Sequence, residues 1–280
     1  MRRIVILMIV GLLACNGVAL SQSKRALVIG LGKQKDTNWG KINGDKDVPY
    51  VQKMLKKAGY KEIRTLLNEQ ATKARIVAGF KSLTSRCRPG DIVYIHFSGH
   101  GQQVTDVNGD EADGWDEAWI PYDAYLKYGK KDKGEKHLTD DEINVLLTAI
   151  KNKIGNNGKI LVVVDACHSG DSSRGDGNDE DGVIRGVWND FIIPQTKKVK
   201  SRKAPERWLT LSACMDFQLN QEIKNPQVGK LTYALYMMAQ KRTFDFKDIE
   251  DFMDQYRVRL PQTPVLTGET TKYNISDFIK

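Results

Sequence analysis

The sequence predicts an α/β domain with a mainly parallel central sheet flanked by helices, on three observations. Apolar residues come in short, nearly unbroken runs, at Arg25 to Gly30, Asp91 to Phe97 and Lys159 to Val164. Such runs suit strands covered on both faces, as the strands of a parallel sheet are. Between them lie stretches with apolar residues at helical spacing, and the two patterns alternate along the chain, as they do when crossover helices join parallel strands. The chain has 280 residues, enough for one such domain.

The elements follow in order. After the first strand, Asp47 to Ala58 places Val48, Val51, Met54 and Leu55 on one helical face, and Ala71 to Cys87 does the same with Ile76, Phe80 and Leu83. Thr139-Asp140-Asp141-Glu142 is a capping box, and Ile143, Leu146, Leu147 and Ile150 form the stripe of the helix it opens. Beyond Cys167 the pattern lapses. Asp171 to Glu206 is polar and glycine-rich and reads as a long mobile loop, with a little structure around Val183 to Ile193. A strand at Trp208 to Ser212, helices around Leu231 to Gln240 and Phe246 to Val258, and a short strand at Val265-Leu266 complete the domain.

Composition narrows the class. Hydrophobic residues are 40% and charged residues 28%, ordinary globular usage that excludes whole-chain disorder. Arg2 and Arg3 precede an apolar run from Ile4 to Ala14, too short to span a bilayer, and small residues follow. This is the layout of an export signal, with residues 1–21 removed and the domain running over 22–280, so a periplasmic, secreted or envelope location is expected. Leu12-Leu13-Ala14-Cys15 resembles a lipobox, the alternative in which lipidated Cys15 anchors the protein to a membrane. Cys87, Cys167 and Cys214 remain once the leader is gone, which makes no disulfide framework. The net charge of +8 gathers in Lys127 to Lys136 and Lys197 to Lys203 without interleaved aromatics, so these read as solvated loops and nucleic-acid binding is not expected.

Two motifs carry the chemistry. Ser98-Gly99-His100-Gly101 and Asp165-Ala166-Cys167-His168-Ser169-Gly170 each end an apolar strand, and open α/β sheets bind ligands beyond the carboxyl ends of their strands. A thiol near its reference pKa of about 8.5 is only slightly ionised at neutral pH, so an imidazole that takes its proton makes it a nucleophile. His100 and Cys167 form that dyad. His168 points to the opposite side from its neighbour on an extended segment, His96 lies within its strand, His137 sits in a charged loop without signal, and Cys87 and Cys214 read as structural. A cysteine phosphatase would need an arginine six positions after the cysteine, where the nearest, Arg174, is seven on. Zinc is excluded by the lack of paired ligand spacing.

With these motifs the chain resembles the metacaspases, relatives of caspases, gingipains and legumains. The matching elements run in order: Asn43-Gly44-Asp45-Lys46-Asp47-Val48, Ser98 to Gly101, Asp113-Gly114-Trp115-Asp116-Glu117, Thr139 to Glu142, Asp165 to Gly170, Ser212-Ala213-Cys214 and Gln262-Thr263-Pro264. The resemblance implies a caspase-like three-layer domain and a monomeric cysteine endopeptidase. In it His100 is the base, Cys167 the nucleophile, and the backbone N–H groups of Gly101 and Cys167 form the oxyanion hole. It also implies a pocket of Asp47, Ser98 and Asp165 for arginine or lysine of a peptide or protein substrate, and a calcium site including Asp116, Asp140 and Asp141. Gly44 departs from the family, which often has cysteine there. Asp106 to Asp110 with Glu117 echoes an EF-hand loop, but Glu111 stands where that loop needs glycine, and the segment is discounted.

Two alternatives stand beside this reading: a non-catalytic binding module of the same fold, and a related peptidase cutting after asparagine or aspartate. The basic stretch also suggests self-cleavage after Lys197, Lys198, Lys200, Arg202 or Lys203, since exposed loops are preferred nicking sites.

Overall fold

The computed structural model describes residues 22–167, 183–185, 190–194, 203–215, 218–256 and 261–280. The leader with Cys15, the segment from His168 to Gly182 and the candidate cleavage residues Lys197, Lys198, Lys200 and Arg202 lie outside them. In chain order the elements are β1 (Lys24–Gly30), α1 (Gly44–Lys57), β2 (Glu62–Leu67), α2 (Lys73–Arg86), β3 (Ile92–Ser98), β4 (Gly101–Thr105) and β5 (Trp115–Trp119). There follow β6 (Leu138–Thr139), α3 (Asp140–Ile154), β7 (Lys159–Asp165), β8 (Leu209–Ser212), β9 (Glu222–Ile223) and β10 (Val228–Gly229). The chain closes with α4 (Lys230–Met238), α5 (Phe246–Gln255), β11 (Val265–Gly268) and α6 (Ser276–Ile279).

The main sheet has the order β11-β8-β7-β3-β1-β2, parallel throughout except for β11, which runs antiparallel at one edge. The unbroken apolar runs have the cause the sequence suggested. Ala26, Val28, Tyr94, Leu161 and Val163 pack on one face with α1, α4 and α5, while Leu27, Ile29, Val93, Ile95, Phe97, Ile160 and Val162 pack on the other with α2 and α3. Two such layers of helix around a sheet make the three-layer domain. The capping box forms as expected, with the Thr139 and Glu142 side chains each bonded to the other's backbone.

Two parts were not anticipated. β2 is an edge strand of mixed polarity (Glu62, Arg64 and Thr65 beside Ile63, Leu66 and Leu67), and β4, β5 and β6 form a small antiparallel sheet over a core of Trp39, Val104, Ala118, Ile120, Leu126 and Phe191. Phe191 corrects the expectation of a mobile loop over 171–206 where that stretch is described. Its ring is fully buried, and its backbone exchanges bonds with Gln103 and Thr105. Ile184 is partly buried and Arg185 wholly buried, while Val183 is exposed. Among the described residues no helix is long and apolar enough to cross a membrane.

Leu27 has no exposed surface and fills the layer between the sheet and α2. Leu27→Ala should destabilise the protein by about 2–5 kcal/mol through lost burial and a residual cavity, measured as a lower midpoint in urea unfolding.

Candidate active site

The register of the central sheet brings the two motifs together. β3 and β7 are adjacent, Ser98 pairs with Asp165, and the Gly99 N–H reaches the Asp165 carbonyl at 3.4 Å. His100 and Cys167 each stand two residues beyond that pair, at the carboxyl edge of the sheet. The His100 Nε2–H donates to the Gly40 carbonyl at 2.8 Å, and the ring lies 5.1 Å from that of Trp39. A carbonyl can only accept, so this bond fixes the tautomer and leaves Nδ1 with its lone pair; Nδ1 is buried without a hydrogen-bond partner. Burial lowers the imidazole pKa to about 4 despite the Gly40 bond, which keeps the ring neutral and able to accept a proton. The Cys167 thiol donates to the Gln218 carbonyl at 3.1 Å, and none of the three described cysteines is in a disulfide.

At the same edge lies an acidic recess that already holds a cation. The Arg185 guanidinium is wholly buried and forks onto Asp47, with Nη1 at 2.6 Å and Nη2 at 3.0 Å; Nη1 is also 3.3 Å from Asp165, and Nε donates to Glu222 at 2.9 Å. Burial pushes the Asp47 carboxyl up to about 6, opposed by the Arg185 charge and assisted by that of Asp165. Burial alone would raise Asp165 as well, but Arg185, Thr232 and Asn220 hold it below its ordinary value. Ser98, expected in the pocket, instead bonds its hydroxyl to His96 Nε2 at 2.9 Å, within a buried chain that continues to Tyr94.

The backbone entering Arg185 is held by an isolated antiparallel bridge. Ile184 pairs antiparallel with Gln221, the Arg185 N–H donates to the Asn220 carbonyl, and the Glu222 N–H donates to the Val183 carbonyl. The Arg185 carbonyl accepts from the Cys167 N–H at 3.0 Å. That N–H is one of the two expected oxyanion donors, so it is already engaged. The other, of Gly101, belongs to the residue after His100 at the head of β4, opposite Trp119. Gln262, from the last family-like motif, braces this wall by donating to the carbonyl of Ala213 and the amide oxygen of Asn220.

Two glycines are required by close approach. A side chain at Gly229 would collide with Asp165 and with the Arg185 guanidinium, each within 3 Å of an added Cβ. At Gly44 an added Cβ would meet the Leu31 and Ser98 carbonyl oxygens at 2.5 Å, so the cysteine common in the family has no room at this backbone position.

The second acidic group lies at the start of α3. Asp106, Asp110 and Asp116 bring one carboxylate oxygen each to within 4.8 Å of one another. The discounted Asp106 to Asp110 segment therefore joins Asp116 in the tightest grouping, while Asp140 and Asp141 sit beside it. Burial, together with Asp140, Asp141 and Asp106, raises the Asp116 carboxyl to about 8. Its Oδ1 is buried and without a partner. Lys203 supplies the cation there, paired with Glu111 and Asp140. An all-oxygen set with an orphaned carboxylate oxygen suits a hard cation such as calcium.

A family model described as "Metacaspase, peptidase C14 domain" matches residues 24–173, 150 of the 280. The chain belongs to the metacaspase family. Metacaspase-2 of Arabidopsis thaliana is 34% identical over 157 residues, covering 52% of this chain and 34% of that protein. Metacaspase-1A of Aspergillus oryzae is 32% identical over 168 residues, covering 56% and 36%. The chain thus spans about a third of the length of these curated relatives. Among solved structures, a Geobacter sulfurreducens protein aligns with a TM-score of 0.64 at 22% identity, over 92% of this metacaspase and 97% of that chain. Caspase-1 of Spodoptera frugiperda aligns with a TM-score of 0.57 at 13% identity, over 88% and 86%. The likeness to caspase-1 establishes a caspase-like fold.

Sequence reasoning placed Asp47, Asp165, His100 and Cys167 at this edge and missed Arg185, Asn220, Glu222 and Thr232. Arg185 stands alone in the apolar run Val183-Ile184-Arg185-Gly186-Val187-Trp188 and Glu222 precedes Ile223; neither setting names a partner, and their burial together follows only from the antiparallel pairing of the two segments. His137, given no role, is fully buried and bonded through Nε2 to Gln102. Burial and the nearby Lys73 charge lower its pKa to about 3. The unfolded chain takes up a proton near pH 6.5 that the folded site refuses, so this histidine costs stability increasingly as pH falls below that value. Relative to His137→Gln, the wild type should therefore lose stability between pH 7 and pH 4, read as a pH-dependent difference in Tm between the two proteins.

Proposed function

We propose that this metacaspase is a cysteine endopeptidase that hydrolyses peptide bonds after a basic residue, arginine foremost, and that it can cut its own chain after Arg185. The observation that carries this reading is Arg185 itself. Its side chain fills the acidic recess, its carbonyl accepts from the Cys167 N–H, and the backbone at Val183 to Arg185 bonds to Asn220 and Glu222 about one antiparallel bridge, the kind of main-chain pairing by which clefts hold peptides. A carboxylate side chain in the same recess would face three like charges, which disfavours aspartate as the recognised residue.

The chemistry then follows from the residues. His100 Nδ1 takes the thiol proton once Sγ turns from the Gln218 carbonyl, and Sγ attacks the carbonyl carbon of the bound basic residue. The Cys167 N–H, with that of Gly101, meets the oxygen as it gains charge. Collapse expels the amine, which receives the proton held by His100 and leaves a thioester. Water, deprotonated by the same imidazole, hydrolyses the thioester and restores the thiol. Asp106, Asp110 and Asp116 would hold calcium, whose charge would offset their repulsion at the head of α3.

Cys167→Ala and His100→Ala should each lower turnover of arginyl peptides by about 10³-fold or more. Mass spectrometry of the wild type should find a fragment beginning at Gly186 that is absent from Cys167→Ala and from Arg185→Asp. Cuts confined to the 197–203 stretch would discard Arg185 as the processing site, and unchanged turnover in Cys167→Ala would leave the binding-module reading standing. At about 100 times its dissociation constant, calcium should add about 2.7 kcal/mol to stability, an increment that Asp116→Asn removes, measured by thermal unfolding with and without chelator.

A further inference from the structure

We propose that Glu222 makes the recess selective for arginine over lysine, an inference that rests on the recess being the subsite for the basic residue. Glu222 is buried on β9, and both its oxygens are occupied. Oε1 accepts from Arg185 Nε at 2.9 Å and from the Asn43 N–H at 2.6 Å, while Oε2 accepts from the Asn43 amide. Asn43, the residue before α1, spends its side chain here and makes no capping bond to its own helix. The carboxylate is thereby held at one angle toward the flank of the guanidinium.

The other two carboxylates address the tip. Asp47 meets Nη1 and Nη2, and Asp165 meets Nη1. A lysine ammonium can imitate those contacts as a point charge, but lysine has only methylenes where arginine carries Nε–H. An ammonium placed at Asp47 and Asp165 leaves Glu222 buried, charged and short of the donor it is oriented to receive. An ammonium drawn back to Glu222 abandons the fork site on Asp47. A site built to bond a group rejects the analogue that lacks it, and here the buried carboxylate would keep only the neutral donors of Asn43 and lose its charged one. Discrimination thus falls to Glu222, the one carboxylate whose contact lysine cannot reproduce.

The test compares kcat/KM of the full chain on two peptides that differ only in arginine or lysine before the cleaved bond, in wild type, Glu222→Gln and Glu222→Ala. Both substrates are read on one preparation, so the ratio is independent of the fraction folded. The wild type should favour arginine by at least about tenfold. Glu222→Ala should narrow the ratio to about threefold or less, mainly through loss on the arginine peptide, with Glu222→Gln between. Equal cleavage of both peptides by the wild type, or a wild-type ratio kept by both variants while rates fall, overturns the role of Glu222 and leaves the basic-residue subsite intact. A wild type that cleaves neither peptide but cuts one with asparagine or aspartate at that position removes the subsite reading, and this inference with it.

Discussion

Asp47, Asp165 and Glu222 come from a helix, a strand end and a short hairpin far apart in sequence, yet all three are buried around one guanidinium. Buried carboxylates are tolerable only when paired and hydrogen-bonded, and with their partner removed they become a large liability. Much of the surrounding architecture meets that condition. Thr232 and Asn220 give hydrogen bonds to Asp165, the Gly229 N–H donates to Asp47, Asn43 holds Glu222, and Gly229 keeps the space clear. The recess asks for a cation of a particular shape, since a fork of donors is what meets all three buried charges.

The sheet supplies the rest of the site. Parallel strands end together at one edge, so two motifs separated by a whole helix and strand become neighbours whatever the chain length between them. The small β4–β5–β6 sheet then closes over that edge and brings Trp39 and the Gly40 carbonyl against the imidazole. Desolvation and the carbonyl act on different properties of His100. The first keeps the ring neutral, and the second decides which nitrogen carries the hydrogen.

What was legible in the sequence follows from how local each signal is. β1, β3 and β7 were readable because both of their faces are covered, and α3 because its capping box is contained in four residues. β2 was hidden by its mixed edge-strand composition, and β4 to β6 by the loops that separate them. His100, Cys167 and Asp165 belong to motifs at strand ends, and Asp47 to a motif that opens α1. Arg185 and Glu222 owe their burial to pairing between segments some 37 positions apart, a long-range event with no local imprint. Lys203, grouped with exposed loop lysines by composition, is instead a partner of Glu111 and Asp140, which only the folded chain brings within reach.

The tether on Arg185 has a consequence in mass action. A ligand joined to its own receptor by a short length of chain acts at an effective concentration of order millimolar, whatever the dilution of the protein. A free peptide present at micromolar levels meets a cleft whose resident competitor outnumbers it roughly a thousandfold. Dilution cannot dislodge that competitor, and a cut after Arg185 would leave it joined to Cys167 through residues 168–184, so its local excess would persist until a second cut freed that side as well.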